Sequence, residues 1–288
     1  MKVETILVGL DIDHDVTNII DFSLELAILT KSKITYLHVF RPDVKTQEEV
    51  NNKVLSAHFN HLKKLVTDST KYQDLPHPAE FLVETGFAME KLLSISEELK
   101  PDILMLGTVP SESQLAAYFA SIARSILNHW QGKVLLVPNT FRFQSFNDIL
   151  FTIDFRFQEL DFLMDVLVMA ELFESHVTCL HIINDDEDMH MIEANMETLR
   201  KLFQQEVKQE LLSFSTSAGK TAEGIQNYIN QSQTDMVCML SDRRSLFGSM
   251  VSPSTAFQLS KSIRVPIFIT KSYASADLKA VRPQLMIN

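Results

Sequence analysis

Residues 6–11, ILVGLD, return 143 positions later as residues 149–154, ILFTID, and both copies end in an aspartate. Residues 33–40, KITYLHVF, return at the same offset as residues 176–183, HVTCLHII. Farther along the offset becomes 133, because residues 101–107, PDILMLG, correspond to residues 234–240, TDMVCML. A single deletion in the second copy accounts for both offsets. The repeat therefore predicts two homologous domains, 1–140 and 147–271, followed by a tail, 272–288.

Within each copy, short apolar runs rich in β-branched residues alternate with longer segments of helical period. Continuous apolar strands that alternate with helices are typical of a parallel sheet covered on both faces. Five strands and four helices per copy predict an α/β fold made of two doubly wound, parallel, five-stranded sheets. In such sheets ligands bind at the carboxyl ends of the strands.

Composition excludes several classes of function. The 288 residues are 45% hydrophobic and 22% charged, as in globular proteins, and the net charge of −11 argues against nucleic-acid binding. The apolar stretches are too short to span a membrane. With only two cysteines, and with Glu4 and Asp11 where a signal-peptide core would lie, we expect a cytoplasmic protein.

The order of these motifs resembles the universal stress protein family. A first strand ends in Asp11, a second contains Leu-His-Val at 37–39, a fourth spans Asp102–Gly107, and a helix follows with Ser-x-Ala at 121–123. The resemblance covers both copies and implies a tandem, adenine nucleotide alpha-hydrolase-like fold with strand order 3-2-1-4-5 in each. It also implies a ribose contact at Asp11 and an adenine contact at Val39.

Nucleotide-binding members of the family carry Gly-x2-Gly-x9-Gly-Ser/Thr after the fourth strand. In the first copy this pattern reads Gly107, Pro110, Ala120, Ser121, so one of the three glycines remains. Glycines let backbone N–H groups approach phosphates, whereas proline removes a donor. The resemblance thus implies a first half that keeps the adenosine end of the site and loses most of the phosphate end.

In the second copy the ribose and adenine positions are Asp154 and Ile182. The loop pattern reads Leu240, Arg243, Pro253, Ser254, with no glycine. Arg243 and its neighbour Arg244 are an anion site that works by charge, an ordinary solvated loop, or an ion pair with the other half.

Other candidate residues carry less chemistry. His38 and His181 lie in apolar strands, and we interpret them as core histidines that donate to backbone. His58 and His61 are interpreted as surface histidines on a helix, and residues 185–188, DDED, as a solvated helix start. Cys179 and Cys238 are separated by a strand in the implied order, which argues against a disulfide. No nucleophile-and-base motif or metal motif occurs, so no enzyme is predicted.

The leading hypothesis is a non-enzymatic stress-response protein that acts by association with an unidentified protein partner and has no cofactor. The alternative is an ATP-binding sensor that works through the first half. A hydrolase or phosphoryl-transfer enzyme is the third and least favoured class. The resemblance implies that the two fifth strands, Lys133–Val137 and Pro266–Thr270, are sheet edges through which domains commonly pair, and their apolar interiors invite such pairing. We expect them to pair with each other in an internal pseudo-dimer, with a homo-oligomer as a further option.

Overall fold

The computed structural model describes residues 2–41, 48–109, 114–183, 187–203, 211–241 and 253–271. These residues form one ten-stranded sheet with the order β3-β2-β1-β4-β5-β10-β9-β6-β7-β8. The strands are β1 Thr5–Leu10, β2 Lys33–Phe40, β3 Glu80–Thr85, β4 Ile103–Thr108, β5 Lys133–Pro138, β6 Asp148–Thr152, β7 His176–Ile183, β8 Leu212–Ala218, β9 Met236–Ser241 and β10 Ile267–Lys271.

Eight helices connect the strands within the described ranges, and a short 3-10 helix spans Tyr72–Asp74. They are α1 Thr17–Thr30, α2 Glu48–Thr67, α3 Ala88–Leu99, α4 Gln114–His129, α5 Phe157–Phe173, α6 Met189–Phe203, α7 Thr221–Gln231 and α8 Pro253–Ser262. Each half therefore has the predicted five strands and four helices. The predicted order 3-2-1-4-5 is confirmed in both halves, and all pairs inside each half are parallel.

The two halves join through β5 and β10, which pair antiparallel as the edge residues predict. Ile267 lies opposite Leu136, and Phe268 lies opposite Leu135. All four side chains are buried. Pro266 precedes β10, where its missing N–H does not interrupt the ladder between the halves. The halves thus share one continuous sheet, and two otherwise exposed edges are covered.

The segment between the halves, residues 139–147, packs as part of the core. Phe143 stacks on Phe22 of α1 with ring centroids 5.0 Å apart, and it meets Phe173 of α5 edge-on at 6.0 Å. Phe146 is buried and contacts the same two rings. This aromatic cluster attaches the connection to one helix of each half.

Within the first half the helices divide between the two faces of the sheet. The buried side chains of α1 share a core with Ile6 and Val8 of β1, whereas those of α3 and α4 share the opposite core with Leu7. Because the connection after β1 turns to one face and the connection after β4 turns to the other, a cleft opens between the ends of these neighbouring strands.

Candidate functional site

Two cavities meet at the carboxyl ends of β1 and β4. Both are lined by Gly9, Leu10, Asp11, Gly107 and Phe119. The first, which we call the apolar slot, has a volume of about 460 Å³ and lies on the α3 and α4 side, with these further lining residues: Leu37, Val39, Ala88, Leu92, Leu106, Tyr118 and Ile122. An apolar cleft with a few convergent polar groups is the usual form of a small-molecule site.

The second cavity, which we call the α1 pocket, has a volume of about 600 Å³ and lies between the start of α1 and the end of β5. Its further lining residues are His14, Asp15, Val16, Ile19, Thr108, Val109, Val137 and Asn139. Polar groups are more frequent here than in the slot. The two cavities therefore differ in chemistry although they share the backbone around Asp11 and Gly107.

Gly107 marks the boundary between the cavities. A Cβ built on Gly107 would meet no atom within 4 Å, and its φ lies outside the left-handed region, so neither packing nor backbone conformation requires glycine there. Gly9 is different, because its Cβ would lie 2.8 Å from a methyl group of Leu92 and 2.8 Å from one of Leu106. These two leucines occupy the space that a side chain at residue 9 would need.

The carboxylate of Asp11 is held by its own loop. Its Oδ1 accepts the N–H of Asp13 at 3.3 Å, and its Oδ2 lies 3.3 Å from Nδ1 of His14. Nearby, Asp15 accepts the N–H of Thr17 at 3.0 Å, and this hydrogen bond holds the pKa of Asp15 below its usual value. The rim of the α1 pocket is therefore acidic, with one histidine between two carboxylates.

Of the residues predicted for the first half, Asp11, Val39 and Gly107 come together around the apolar slot. Ser121 is not among the residues that line either cavity. Its exposed side chain donates to the carbonyl oxygen of Tyr118 one turn earlier in α4. The loop at 110–113 lies outside the described residues.

In the second half the corresponding positions are filled by side chains. Leu240 stands where the first half has Gly107, and it is buried. Ile182, the counterpart of Val39, is also buried, and its Cγ2 would lie 3.0 Å from a Cβ at Gly224 of α7. Helix α7 therefore packs closely against Ile182. Arg243 and Arg244 lie outside the described residues, and Ser254 lies in α8.

Asp154, the counterpart of Asp11, lies in a buried charged cluster. Burial raises its pKa to about 6. The next residue, Phe155, has a φ of +60°, and its ring centroid is 4.8 Å from that of His181. Glu159 follows in α5, where its carboxylate accepts the N–H groups of Asp154 and Arg156, and burial raises its pKa to about 7. These contacts fold the loop after β6 onto the core.

The two strand histidines have the backbone partners that the sequence predicts. Nδ1 of His38 donates to the carbonyl oxygen of Leu10, and Nδ1 of His181 donates to that of Ile153. The interpretation of His58 as a surface histidine is wrong. Its Nδ1 lies 3.0 Å from Nε2 of His38, and its ring stacks on Phe40.

Glu187 is likewise not simply solvated, since its Oε2 lies 3.1 Å from Nε2 of His181. Each strand histidine thus uses its second nitrogen to hold a residue from the following connection.

The remaining chemistry is sparse. Cys179 and Cys238 are free and buried, and both lie opposite Phe151 of β6, which separates them as predicted. In the ranges that the structure describes, no three histidine, cysteine, aspartate or glutamate side chains are grouped so that they could hold a metal ion. Among the same residues, no helix is both long and apolar enough to cross a bilayer.

Sequence reasoning missed three residues of this region. Thr108 and Asn139 line the α1 pocket, and Asn18 donates from Nδ2 to the carbonyl oxygen of Asn139. One signal was available for Thr108, because the offset of 133 aligns it with Ser241 and so places a hydroxyl after the fourth strand in both halves. Nothing in the pattern links Asn18 to Asn139, which lies 121 residues away.

Comparisons agree with this architecture. Residues 2–138 match the universal stress protein family. The whole chain resembles the structure of a universal stress protein from Archaeoglobus fulgidus, with a TM-score of 0.71 at 13% identity over 93% of this chain and 96% of that one. A functionally unknown protein from Pseudomonas aeruginosa is also similar, with a TM-score of 0.63 at 13% identity over 94% of this chain and 93% of that one. No curated protein sequence matches the chain.

Proposed function

Since residues 2–138 belong to the universal stress protein family, we propose that this chain is a non-enzymatic stress-response protein with a small-molecule site in its first half only. The two domains, 1–140 and 147–271, then have different roles. The first binds an adenine-containing ligand in the apolar slot. The second, with the tail 272–288, serves association with a protein partner.

Gly107 carries the proposal for the first half. The chain has only seven glycines. Gly107 is one that neither a close neighbour nor a left-handed backbone explains. A glycine that faces open space between two cavities lets a ligand approach the backbone of β4. Asp11 and Val39 lie at the same slot, where the family resemblance puts ribose and adenine contacts.

The chemistry of the slot supports a flat, largely apolar ring. Its walls are aliphatic side chains from β2, α3, β4 and α4, and the ring of Phe119 lies at the shared boundary. The carboxylate of Asp11 is the charged group at this slot, and it can accept hydrogen bonds from ligand hydroxyls. These groups bind and orient a ligand. They do not pair a nucleophile with a base, which is why we propose no reaction.

A specific observation favours association as the second candidate function. The second half keeps all five strands and four helices, although Leu240 and Ile182 are buried at the cleft positions. A fold that is retained while these positions are occupied by buried side chains is consistent with a role in binding other proteins. In this candidate the first half also works without a ligand.

Isothermal titration calorimetry tests the site. Wild-type protein is titrated with ATP and with adenosine, and we expect one site per chain, with an ATP dissociation constant weaker than about 1 μM because most loop glycines are missing. The variant Gly107→Val places a side chain in the slot and should weaken binding at least about tenfold, since the ligand would have to displace it. Ser121→Ala is the matched control and should bind as wild type does.

The results discriminate between the two functions. If neither compound binds the wild-type protein, ligand binding is refuted and association remains. If Gly107→Val binds as tightly as Ser121→Ala, the ligand lies elsewhere in the chain.

A further inference from the structure

The α1 pocket has an unpartnered buried polar group that the apolar slot lacks. Thr108 lines the pocket and is 3% exposed, and its Oγ1 has no hydrogen-bond partner within the described residues. Asn18 is not among the lining residues, but its Nδ2 donates to the carbonyl oxygen of Asn139, which does line the pocket. A buried hydroxyl without a partner is costly, and a hydroxyl can both donate and accept, so this site is suited to a ligand group that forms a hydrogen bond with Thr108.

The charges around the pocket disfavour phosphate. The amino end of α1 would attract an anion, but the carboxylate of Asp15 already accepts the N–H of Thr17 at that end. Asp11 adds a second carboxylate. Among the described residues that line the two cavities there is no lysine or arginine. The sequence of the loop at 110–113, Pro-Ser-Glu-Ser, supplies no cation.

The guanidinium of Arg142 is directed at the backbone. Arg142 donates to the carbonyl oxygens of Asn139 and Phe141 at 3.2 Å each. Its charge also helps to hold the pKa of Asp15 low. A phosphate in the pocket would thus meet two carboxylates and a cation that is already engaged.

We propose that the α1 pocket is a second subsite, which binds an uncharged hydroxyl or amide group of the ligand through Thr108. The pocket and the apolar slot share Asp11 and Gly107, so one molecule can span both. The preferred ligand is accordingly a phosphate-free molecule of nucleoside type rather than a nucleoside triphosphate. This inference rests on the proposed function of the first half and specifies its ligand class.

The second half supplies a control for the role of Thr108. Ser241 occupies the equivalent position after β9, and its buried hydroxyl also has no partner within the described residues. Ser241 follows Leu240, whose side chain is buried, whereas Thr108 follows Gly107, which faces open space. Ser96 of α3 is a further fully buried hydroxyl of this kind, and it is not among the residues that line either cavity.

The test compares adenosine and ATP by calorimetry on the full chain. Wild-type protein should bind adenosine at least about tenfold more tightly than ATP, because like charges oppose the phosphates. Thr108→Val keeps the shape of the side chain and removes its hydroxyl, so adenosine binding should weaken about five- to tenfold, as for the loss of one hydrogen bond. Ser241→Ala and Ser96→Ala should bind adenosine as wild type does.

Thermal unfolding without ligand separates binding from folding. Removing an unpartnered hydroxyl leaves no buried group unsatisfied, so Thr108→Val should unfold at the wild-type temperature or above it. The inference is overturned if ATP binds as tightly as adenosine, or if all three variants lower affinity equally. In both cases the proposed ligand site of the first half stands. If neither compound binds wild-type protein, the site and the inference fail together.

Discussion

Leu136 lies in β5 at the junction between the halves, and shortening it tests whether β5 and β10 hold the chain together. Its side chain is fully buried and lies opposite Ile267. Leu136→Ala deletes three carbon groups, each worth about 0.8 kcal/mol of burial. The rigid strands on both sides limit collapse of the resulting cavity, which adds to the loss. We therefore expect the free energy of unfolding to fall by about 3–4 kcal/mol.

Two assays measure the effect of Leu136→Ala. Urea unfolding is monitored by fluorescence of Trp130, the only tryptophan in the sequence, which is buried after α4 in the first half. Limited proteolysis monitors the connection at 139–147, whose phenylalanines pack against both halves. In Leu136→Ala we expect cleavage in this connection at urea concentrations where Trp130 is still buried, because the junction opens before either half unfolds.

Leu180→Ala is the matched control. Leu180 is equally buried and of the same residue type, but it lies in β7, away from the junction. It should lose a similar free energy without early cleavage of the connection. Equal early cleavage in the two variants would refute the role that we assign to the junction, as would a loss of less than about 1 kcal/mol in Leu136→Ala.

Three further predictions concern the second half and the connection. Because Glu159 has a pKa of about 7, above its ordinary value, ionisation of its carboxyl group destabilises the fold. As the pH falls from 8 to 4.5, the free energy of unfolding of the wild-type protein, measured in urea, should rise by up to about 3 kcal/mol relative to that of Glu159→Gln. A difference between the two proteins that does not change with pH would contradict this. Burial raises the thiol pKa of Cys179 and Cys238, so a thiol reagent should modify neither in the native protein and both in denaturant. Phe143→Ala should cost about 1–2 kcal/mol in urea unfolding, against less than about 0.5 for the exposed Gln144→Ala, and equal costs would count against the aromatic cluster.

Much of the fold could be predicted because it depends on period and repetition. The return of ILVGLD as ILFTID identified the repeat, and alternating apolar strands and helical segments indicated doubly wound sheets. The pairing of the fifth strands was expected from the family resemblance, which makes them sheet edges, and from their apolar interiors, because an exposed apolar edge favours pairing. These patterns are visible in short stretches of sequence, and they are compatible with few arrangements of strands and helices.

The cavities could not be predicted, since they depend on which distant side chains fill a given space. The space around Gly9 is occupied by Leu92 and Leu106, which come from α3 and β4. The contact between His38 and His58 joins a strand to the helix after it, and an alternation pattern does not register it. The resemblance implies that Gly107 belongs to the phosphate loop, but the open space beside it is visible only in three dimensions.

The antiparallel pairing of β5 and β10 also determines where the strand ends of the two halves lie. Parallel strands point one way in the first half and the opposite way in the second, so the carboxyl ends of β4 and β9 lie at opposite rims of the sheet. In a homodimer whose two identical subunits are related by a two-fold axis at this junction, any substitution changes both rims at once. Within one chain, Gly107 at one rim and Leu240 at the other have been free to diverge. A ligand bound beside Gly107 and a protein partner bound beside Leu240 would therefore lie at opposite rims of the sheet.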